Sequence, residues 1–226
     1  PWEEHRGIFT YTTACTIAGL EASAQIAHIL GHHNHSEKYH NAADAMKQAL
    51  LFHLFDEETG RFVKMIKRKD GKTVKRDLTL DMSIAAIWKV GVLAPDDPRV
   101  VSTMEQLRDA LHVHTDVGGW ARYTNDFYHS TEQPSTQIPG NPWFITTLWY
   151  AQWLIAVAQK EKDLEEPRSI LEWTVQHASR AGILAEQIHP RTGEPLSVSP
   201  LTWSHATYVE TVLQFIAKEQ SFPSSL

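Results

Sequence analysis

The fold of this chain is decided by residues 9–30, which read FTYTTACTIAGLEASAQIAHIL. Apolar residues return there at helical spacing, and Gly31 follows as a natural C-terminal cap, so the stretch predicts one long helix. Residues 36–55 repeat the pattern, with Ser36 placed to cap the start of a second helix. Consecutive helices of this kind favour an all-α protein built from helical hairpins.

Most of the remaining chain also has apolar residues at helical spacing. It predicts five further helices, over residues 81–90, 97–111, 142–160, 167–181 and 204–218. Residues 61–79 do not follow the helical spacing. Apolar and basic side chains alternate there around Asp70-Gly71, a dipeptide typical of hairpin turns, so the stretch predicts a β-hairpin. Residues 113–139 are rich in turn-forming residues and predict a long loop, a kind of segment that is usually functional or disordered.

No linker divides the chain, so we expect residues 1–226 to belong to a single domain. Periodicity alone leaves three architectures open: a barrel of α-hairpins, an α-solenoid and an irregular bundle. No repeat of fixed period is visible in the sequence, which argues against the solenoid.

The charge, the apolar stretches and the cysteine count exclude several kinds of binding partner and location. The formal net charge of −6 and the isoelectric point near 6.1 predict no binding to nucleic acid or to an anionic membrane. The longest apolar stretch, residues 145–158, is too short and too interrupted to span a bilayer. Cys15 is the only cysteine, which excludes an intramolecular disulfide and favours a buried, inert thiol. The single cysteine and the lack of a visible signal peptide together favour a cytoplasmic location. A chain that begins at Pro1 can, however, be the later part of a longer polypeptide.

Two segments far apart in the sequence carry a glutamate close to a tryptophan. Trp2-Glu3-Glu4 stands at the start of the chain, and Glu186 precedes Trp203 near the other end. Cleavage of a glycosidic bond needs one acid that protonates the leaving oxygen and one base that activates water, and an indole face holds a sugar ring. The alternatives are an acidic pair favoured by a helix dipole and an ordinary surface glutamate.

These two segments, with their order and their neighbours, resemble the catalytic ends of the glucoamylase family of glycosidases. The resemblance implies that Glu3 is the general acid and that Trp2 and Glu4 line the sugar site. Residues 182–206 resemble the general-base segment of the family, which makes Glu186 the base.

The resemblance extends to residues around the base and to two further segments. It implies that Gln187 and Trp203 lie beside the base. Residues 118–128 resemble a substrate loop in which Arg122 reaches the sugar; an ion pair of Arg122 with Asp126 that orders the loop is a compatible alternative. The sequence Asn141-Pro142-Trp143 resembles a helix start of the family and implies that Trp143 lies near the substrate. Glu194 is interpreted as a solvated loop residue.

Taken over nearly the whole chain, the resemblance implies a barrel of six α-hairpins with one small β-hairpin. It also implies an inverting hydrolysis that releases β-glucose from the non-reducing ends of α-linked oligosaccharides or polysaccharides. Six hairpins need twelve helices, whereas seven are predicted, so we expect this chain to be the C-terminal part of the catalytic domain. The missing N-terminal half of the same polypeptide is then the expected partner.

The resemblance implies no cofactor. The histidines at positions 32, 33 and 35 lie in a polar connector and His40 follows them. They are interpreted as surface residues rather than as a metal site. Hydrolysis of maltooligosaccharides, of dextran-type α-1,6 linkages or of trehalose stays open. Two other classes stay open as well: a non-catalytic binding or regulatory glucoamylase-like domain, and a sugar epimerase, which is expected to use histidine acid–base pairs.

Overall fold

Helices dominate the part of the chain that the computed structural model describes, residues 2–222. Those residues form seven α-helices: α1 (Thr10–Ile29), α2 (His33–Leu54), α3 (Ala86–Lys89), α4 (Pro98–Leu111), α5 (Phe144–Val157), α6 (Glu165–Gln176) and α7 (Thr202–Ser221). They also form seven short strands: β1 (Ile8–Phe9), β2 (Phe55–Asp56), β3 (Arg61–Phe62), β4 (Met65–Lys69), β5 (Lys72–Asp77), β6 (Gln187–Ile188) and β7 (Pro195–Leu196). The predicted all-α class is confirmed. The chain divides into two compact units, Pro1–Gln106 and Leu107–Leu226, which are described separately.

The first helical hairpin of the N-terminal unit is formed by α1 and α2, which pack against each other. Helix α1 ends beside Gly31, whose positive φ of 77° turns the chain as predicted. The prediction that Ser36 caps α2 is wrong, because the helix already begins at His33. The Ser36 hydroxyl instead donates to the carbonyl of Ala24 at 2.9 Å, and so ties the first turn of α2 to α1.

A three-stranded antiparallel sheet has the order β1-β4-β5. The predicted hairpin is its β4–β5 pair, and both turn residues, Asp70 and Gly71, have positive φ (50° and 74°), as a two-residue hairpin of the primed type requires. Strand β1 pairs with β4 through Ile8 opposite Ile66, so the sheet holds the chain just after Trp2-Glu3-Glu4. Two further two-stranded pairs, β2–β3 and β6–β7, are not predicted by the sequence.

Aspartates start two of the helical segments in this unit. Asp81 accepts a hydrogen bond from the backbone N–H of Ser83 at 2.9 Å and caps a 3₁₀ turn that leads into α3. Asp97 accepts from the backbone N–H of Arg99 at 2.9 Å, and its second oxygen pairs with the Arg99 guanidinium at 2.8 Å. Both starts agree with the predicted helix boundaries.

In the C-terminal unit, α5 is the central helix and packs on both α6 and α7. One core cluster joins Ile155 of α5 to Phe215 of α7, with Leu164 between the helices. The opposite face of α7 exposes Val209, Leu213 and Ile216, whose spacing of four and three residues makes an apolar stripe along the helix.

Helix α6 ends at Gln176, five residues before the predicted end, because Ser179 turns the chain by accepting the N–H of Ile183 at 3.1 Å. No described helix combines the length and the apolar character needed to cross a membrane.

The cap of α4 gives a prediction about acid stability. The hydrogen bond and ion pair with Arg99 lower the pKa of Asp97 below its ordinary value of 3.8. A carboxyl with a depressed folded pKa stabilises the fold above its unfolded pKa, and this contribution is lost as the pH falls through the folded pKa. Asparagine caps a helix about as well as aspartate, so Asp97→Asn removes mainly the ion pair with Arg99. We therefore expect this variant to lower the free energy of unfolding by about 0.5 kcal/mol at pH 7, and by progressively less as the pH falls below the unfolded pKa of the carboxyl. Urea unfolding at several pH values measures this, and a difference that does not change with pH would contradict the assignment.

Candidate active site

The N-terminal unit places Trp2, Glu3 and Glu4 around one cavity of about 300 Å³. Glu3 and Glu4 are exposed and Trp2 is half-buried, so both carboxyls are open to solvent and the indole is partly fixed. Glu3 has a φ of 59°, in the left-handed region that side chains with a Cβ seldom adopt, and the chain turns sharply there. His5, Phe9, Tyr11, Thr12 and Lys64 complete the lining. The cavity joins the three predicted residues of this segment.

Trp2 is anchored below this cavity by a residue that the sequence analysis treats only as a helix start. The indole Nε1–H donates to both carboxylate oxygens of Asp81, at 3.0 and 3.1 Å. The Lys64 ammonium pairs with the same carboxylate at 3.0 Å, and both charged side chains are buried. No local sequence signal links these residues, because Trp2 and Asp81 are 79 positions apart.

Glu186, in the C-terminal unit, lies on a segment whose backbone is fixed on both sides. Its N–H donates to the carbonyl of Val198 at 2.8 Å, and its side chain is half-buried. The Ser197 hydroxyl donates to Glu186 Oε2, so the carboxyl acts as a hydrogen-bond acceptor at that oxygen. Glu194, in the same segment, is exposed, as predicted.

Gln187 follows as a completely buried residue that reaches the start of α5. Its Oε1 accepts from Asn141 Nδ2 at 2.7 Å, and its backbone forms an isolated antiparallel bridge with Trp143. Its Nε2 has no hydrogen-bond partner among the described residues. A buried amide donor without a partner is unusual, and a bound polar group or water is the ordinary way to satisfy it.

Arg122 is held by a carboxylate and by aromatic rings. Its Nε and Nη2 each donate to a different oxygen of Asp126 at 2.7 Å, a bidentate pair that is almost completely buried. The guanidinium carbon lies 4.8 Å from the ring centroids of Tyr123 and Tyr128 and 4.7 Å from that of Trp143. The ion pair that the sequence analysis leaves open is therefore present. It fixes Arg122 beside Trp143.

Trp143 and Trp203 differ in access to solvent. Trp143 is buried at the N-terminal cap of α5, whereas Trp203, in the first turn of α7, is 38% exposed, with its ring 5.6 Å from that of Trp149. Ser204, the next residue, donates to the carbonyl of Ala185 at 2.7 Å, which ties the first turn of α7 to the residue before Glu186. The C-terminal unit thus joins Arg122, Trp143 and Gln187 by direct contacts, and Ser204 ties the turn that carries Trp203 to the segment of Glu186.

The sequence matches a known protein family over most of its length. Residues 1–213 match the model of Glycosyl hydrolases family 15. The chain belongs to glycosyl hydrolase family 15. Glucoamylase-like character, predicted from the two glutamate segments, is confirmed by this match.

Its curated relatives in family 15 are much longer proteins. An uncharacterized glycosyl hydrolase of Methanocaldococcus jannaschii is 31% identical in an alignment of 220 residues, which covers 92% of this chain and 32% of that protein. A glucoamylase of a Clostridium species is 28% identical, over 92% of this chain and 32% of the relative. A trehalase of Mycobacterium tuberculosis is 25% identical, over 96% of this chain and 29% of the relative. The chain therefore spans about a third of the length of these relatives.

Solved structures agree with the family assignment. A bacterial glucoamylase complexed with acarbose has a TM-score of 0.80 and 26% identity, with 96% of this chain and 35% of that chain covered. Glucoamylase from Saccharomycopsis fibuligera has a TM-score of 0.73 over 98% of this chain and 58% of its own, and at 16% identity this likeness shows the fold alone. The predicted fold class, that of the six-hairpin family 15 proteins, is confirmed by these likenesses.

Two adjacent glycines before Arg122 give a matched test of the loop that carries it. Both have positive φ, 70° at Gly118 and 83° at Gly119, but they differ in the space around them. A Cβ on Gly119 would lie 2.7 Å from Trp173 Cζ2 and 2.9 Å from Pro142 Cβ, whereas the nearest atom to a Cβ on Gly118 lies at 3.9 Å.

We expect both alanine variants to lose about 1 kcal/mol to backbone strain. Gly119→Ala is expected to lose about 1–3 kcal/mol more, because Trp173 and Pro142 must move. Urea unfolding of the two variants measures the difference. Equal losses would mean that the loop relaxes around the added methyl group.

Proposed function

We propose that this chain carries both catalytic carboxylates of an inverting glycoside hydrolase, which releases β-glucose from the non-reducing ends of α-linked glucosides. Glu3 is the general acid and Glu186 the general base. The observation that carries the proposal is that each carboxyl reaches solvent on a segment that the surrounding fold holds, through the Trp2 indole and strand β1 for Glu3 and through the backbone for Glu186. Glu3 opens on the cavity of Trp2 and Glu4, and Glu186 lies between hydrogen bonds to Val198 and Ser197.

The chemistry assigns opposite proton transfers to the two residues. Glu3 gives its proton to the glycosidic oxygen as the bond to the anomeric carbon breaks. Glu186 takes a proton from the water that attacks that carbon from the opposite face, so the configuration inverts. The carboxylate of Glu186 accepts a hydrogen bond from Ser197, a contact that suits a base and keeps one oxygen in place. Inversion needs roughly 6.5–9.5 Å between the two carboxyl groups.

The remaining site residues suit a neutral, polyhydroxylated ring. Trp2 and Trp203 supply indole faces, which bind the apolar faces of sugars. Trp143, which is buried against the Arg122 guanidinium, keeps that side chain near the substrate. Glu4, Arg122 and Gln187 supply hydrogen bonds to hydroxyl groups. The buried Nε2 of Gln187, which has no partner among residues 2–222, is a donor for a polar group that reaches it. Relatives named glucoamylase and trehalase support an α-glucoside as substrate and leave its linkage to experiment.

A substitution of the base tests the proposal directly. In the full polypeptide, Glu186→Gln is expected to lower kcat by at least about 100-fold, because the amide cannot accept the proton from water. The substrates are maltotriose, isomaltotriose and trehalose, with the product anomer followed by proton NMR. The matched control is Glu194→Gln, an exposed glutamate of the same segment, which is expected to leave the rate unchanged.

Each result of this experiment has a definite meaning. Initial release of β-glucose that is lost in Glu186→Gln supports an inverting enzyme with this base. Initial release of α-glucose, or full activity in the variant, contradicts it. A folded wild-type polypeptide that releases no sugar from any of the three would favour the binding or regulatory role.

We also propose that the N-terminal half of the same polypeptide completes the site. The exposed apolar stripe of α7, Val209, Leu213 and Ile216, supports a missing packing partner. We expect the isolated 226 residues to self-associate and to hydrolyse the substrates poorly compared with the full polypeptide. Light scattering after gel filtration and glucose release measure the two properties, and a monomeric chain with full activity would contradict the proposal.

A further inference from the structure

The carboxylate of Asp81 is completely buried and gathers donors from three separate parts of the N-terminal unit. It accepts the indole N–H of Trp2 at 3.0 and 3.1 Å, the Lys64 ammonium at 3.0 Å and the backbone N–H of Ser83 at 2.9 Å. A buried carboxylate is stable only with such partners, so its place in the fold is strongly determined. Only one of the three, the backbone N–H, is needed to cap the 3₁₀ turn.

We propose that Asp81 is a positioning residue for Glu3: it fixes the indole of Trp2, and thereby the proton-donating carboxyl next in the chain. Lys64 serves as its buried counter-ion. This inference rests on the proposed role of Glu3 as general acid. Asp81 itself does not line the cavity and has no contact with substrate in this proposal.

The hydrogen bonds of Asp81 explain how it orients the Trp2 ring. Indole has a single N–H, so a bond that engages it sets the orientation of the whole ring. Both oxygens of Asp81 lie within hydrogen-bond distance of that N–H, which points between them. Lys64, which also lines the cavity, balances the charge of Asp81, so the pair holds Trp2 in place without adding a net charge there.

Glu3 depends on its neighbours for its position. Among residues 2–222 its side chain makes no hydrogen bond. Its backbone is in the left-handed region, and the segment is held by Trp2 on one side and by the pairing of Ile8 with Ile66 on the other. Release of the Trp2 anchor therefore frees one end of a short segment whose other end stays in the sheet.

The first experiment is the leaving-group dependence of Asp81→Asn in the full polypeptide. Protonation by the general acid matters for a sugar leaving group and matters little for fluoride, which leaves readily. With maltotriose we expect kcat to fall about 10- to 100-fold and KM to change less than about threefold. With α-glucosyl fluoride we expect kcat to fall less than about threefold.

The control and the second variant separate positioning from general damage. Asp97→Asn removes a similar helix-capping aspartate that pairs with Arg99 and does not line the cavity, and we expect it to leave both rates unchanged. Trp2→Phe removes the indole N–H while it keeps Asp81 and Lys64, and it serves if Asp81→Asn does not fold. It should show the same selective loss, and the double variant should lose little more than either single variant.

A second measurement does not need activity. The Trp2 indole N–H, assigned in ¹⁵N spectra by its absence in Trp2→Phe, is expected to exchange with solvent at least about tenfold faster in Asp81→Leu, which offers it no acceptor oxygen. Unchanged exchange overturns the inference, as does an equal loss of kcat on maltotriose and on the fluoride. If the wild type hydrolyses neither substrate, the proposed function fails and the positioning of Glu3 for catalysis fails with it, while the exchange rate still reports whether Asp81 fixes Trp2.

Discussion

The ion pair between Lys64 and Asp81 joins three stretches of the N-terminal unit at one buried point. Lys64 leads into strand β4, Asp81 starts the 3₁₀ turn before α3, and the indole of Trp2 closes the group. Neither charge is stable inside a protein alone, so the three stretches must meet in one arrangement. The cavity with Glu3 and Glu4 lies on that arrangement. The position of the cavity thus depends on the ion pair between Lys64 and Asp81.

The C-terminal unit fixes its own candidate residues by a different combination of forces. A neutral amide pair, Asn141 with Gln187, joins the start of α5 to the segment of Glu186. The bidentate pair of Arg122 and Asp126 is enclosed by aromatic rings, which shield it from water. Hydrogen bonds and stacked rings of this kind resist small displacements, and catalysis needs such resistance because errors of about 1 Å are costly. The half-exposed Glu186 is adjacent to this rigid part of the structure.

Local patterns in the sequence predict the helices, the Asp70-Gly71 turn and the glutamate segments, because each depends on residues close together in the chain. Ser36 shows the limit of such patterns: its hydroxyl suits a cap, yet a neighbouring helix offers it the carbonyl of Ala24. The pairs β2–β3 and β6–β7 have two residues in each strand, too few for any periodicity to appear. The anchoring of Trp2 by Asp81 spans 79 positions, and only the folded chain brings the two together.

That long separation also sets an order of events during folding. The helical hairpin of α1 and α2 and the turn at Asp70-Gly71 involve residues close in sequence, which meet early at small entropic cost. Trp2 can find Asp81 only after β4 and the 3₁₀ turn have formed a place for it, and β1 can add to the sheet only when β4 exists. We therefore expect the segment that carries Glu3 to be among the last parts of this unit to assemble. A chain that has regained its helices, but in which Trp2 has not yet met Asp81, would resemble the native protein by circular dichroism and still have Glu3 out of place.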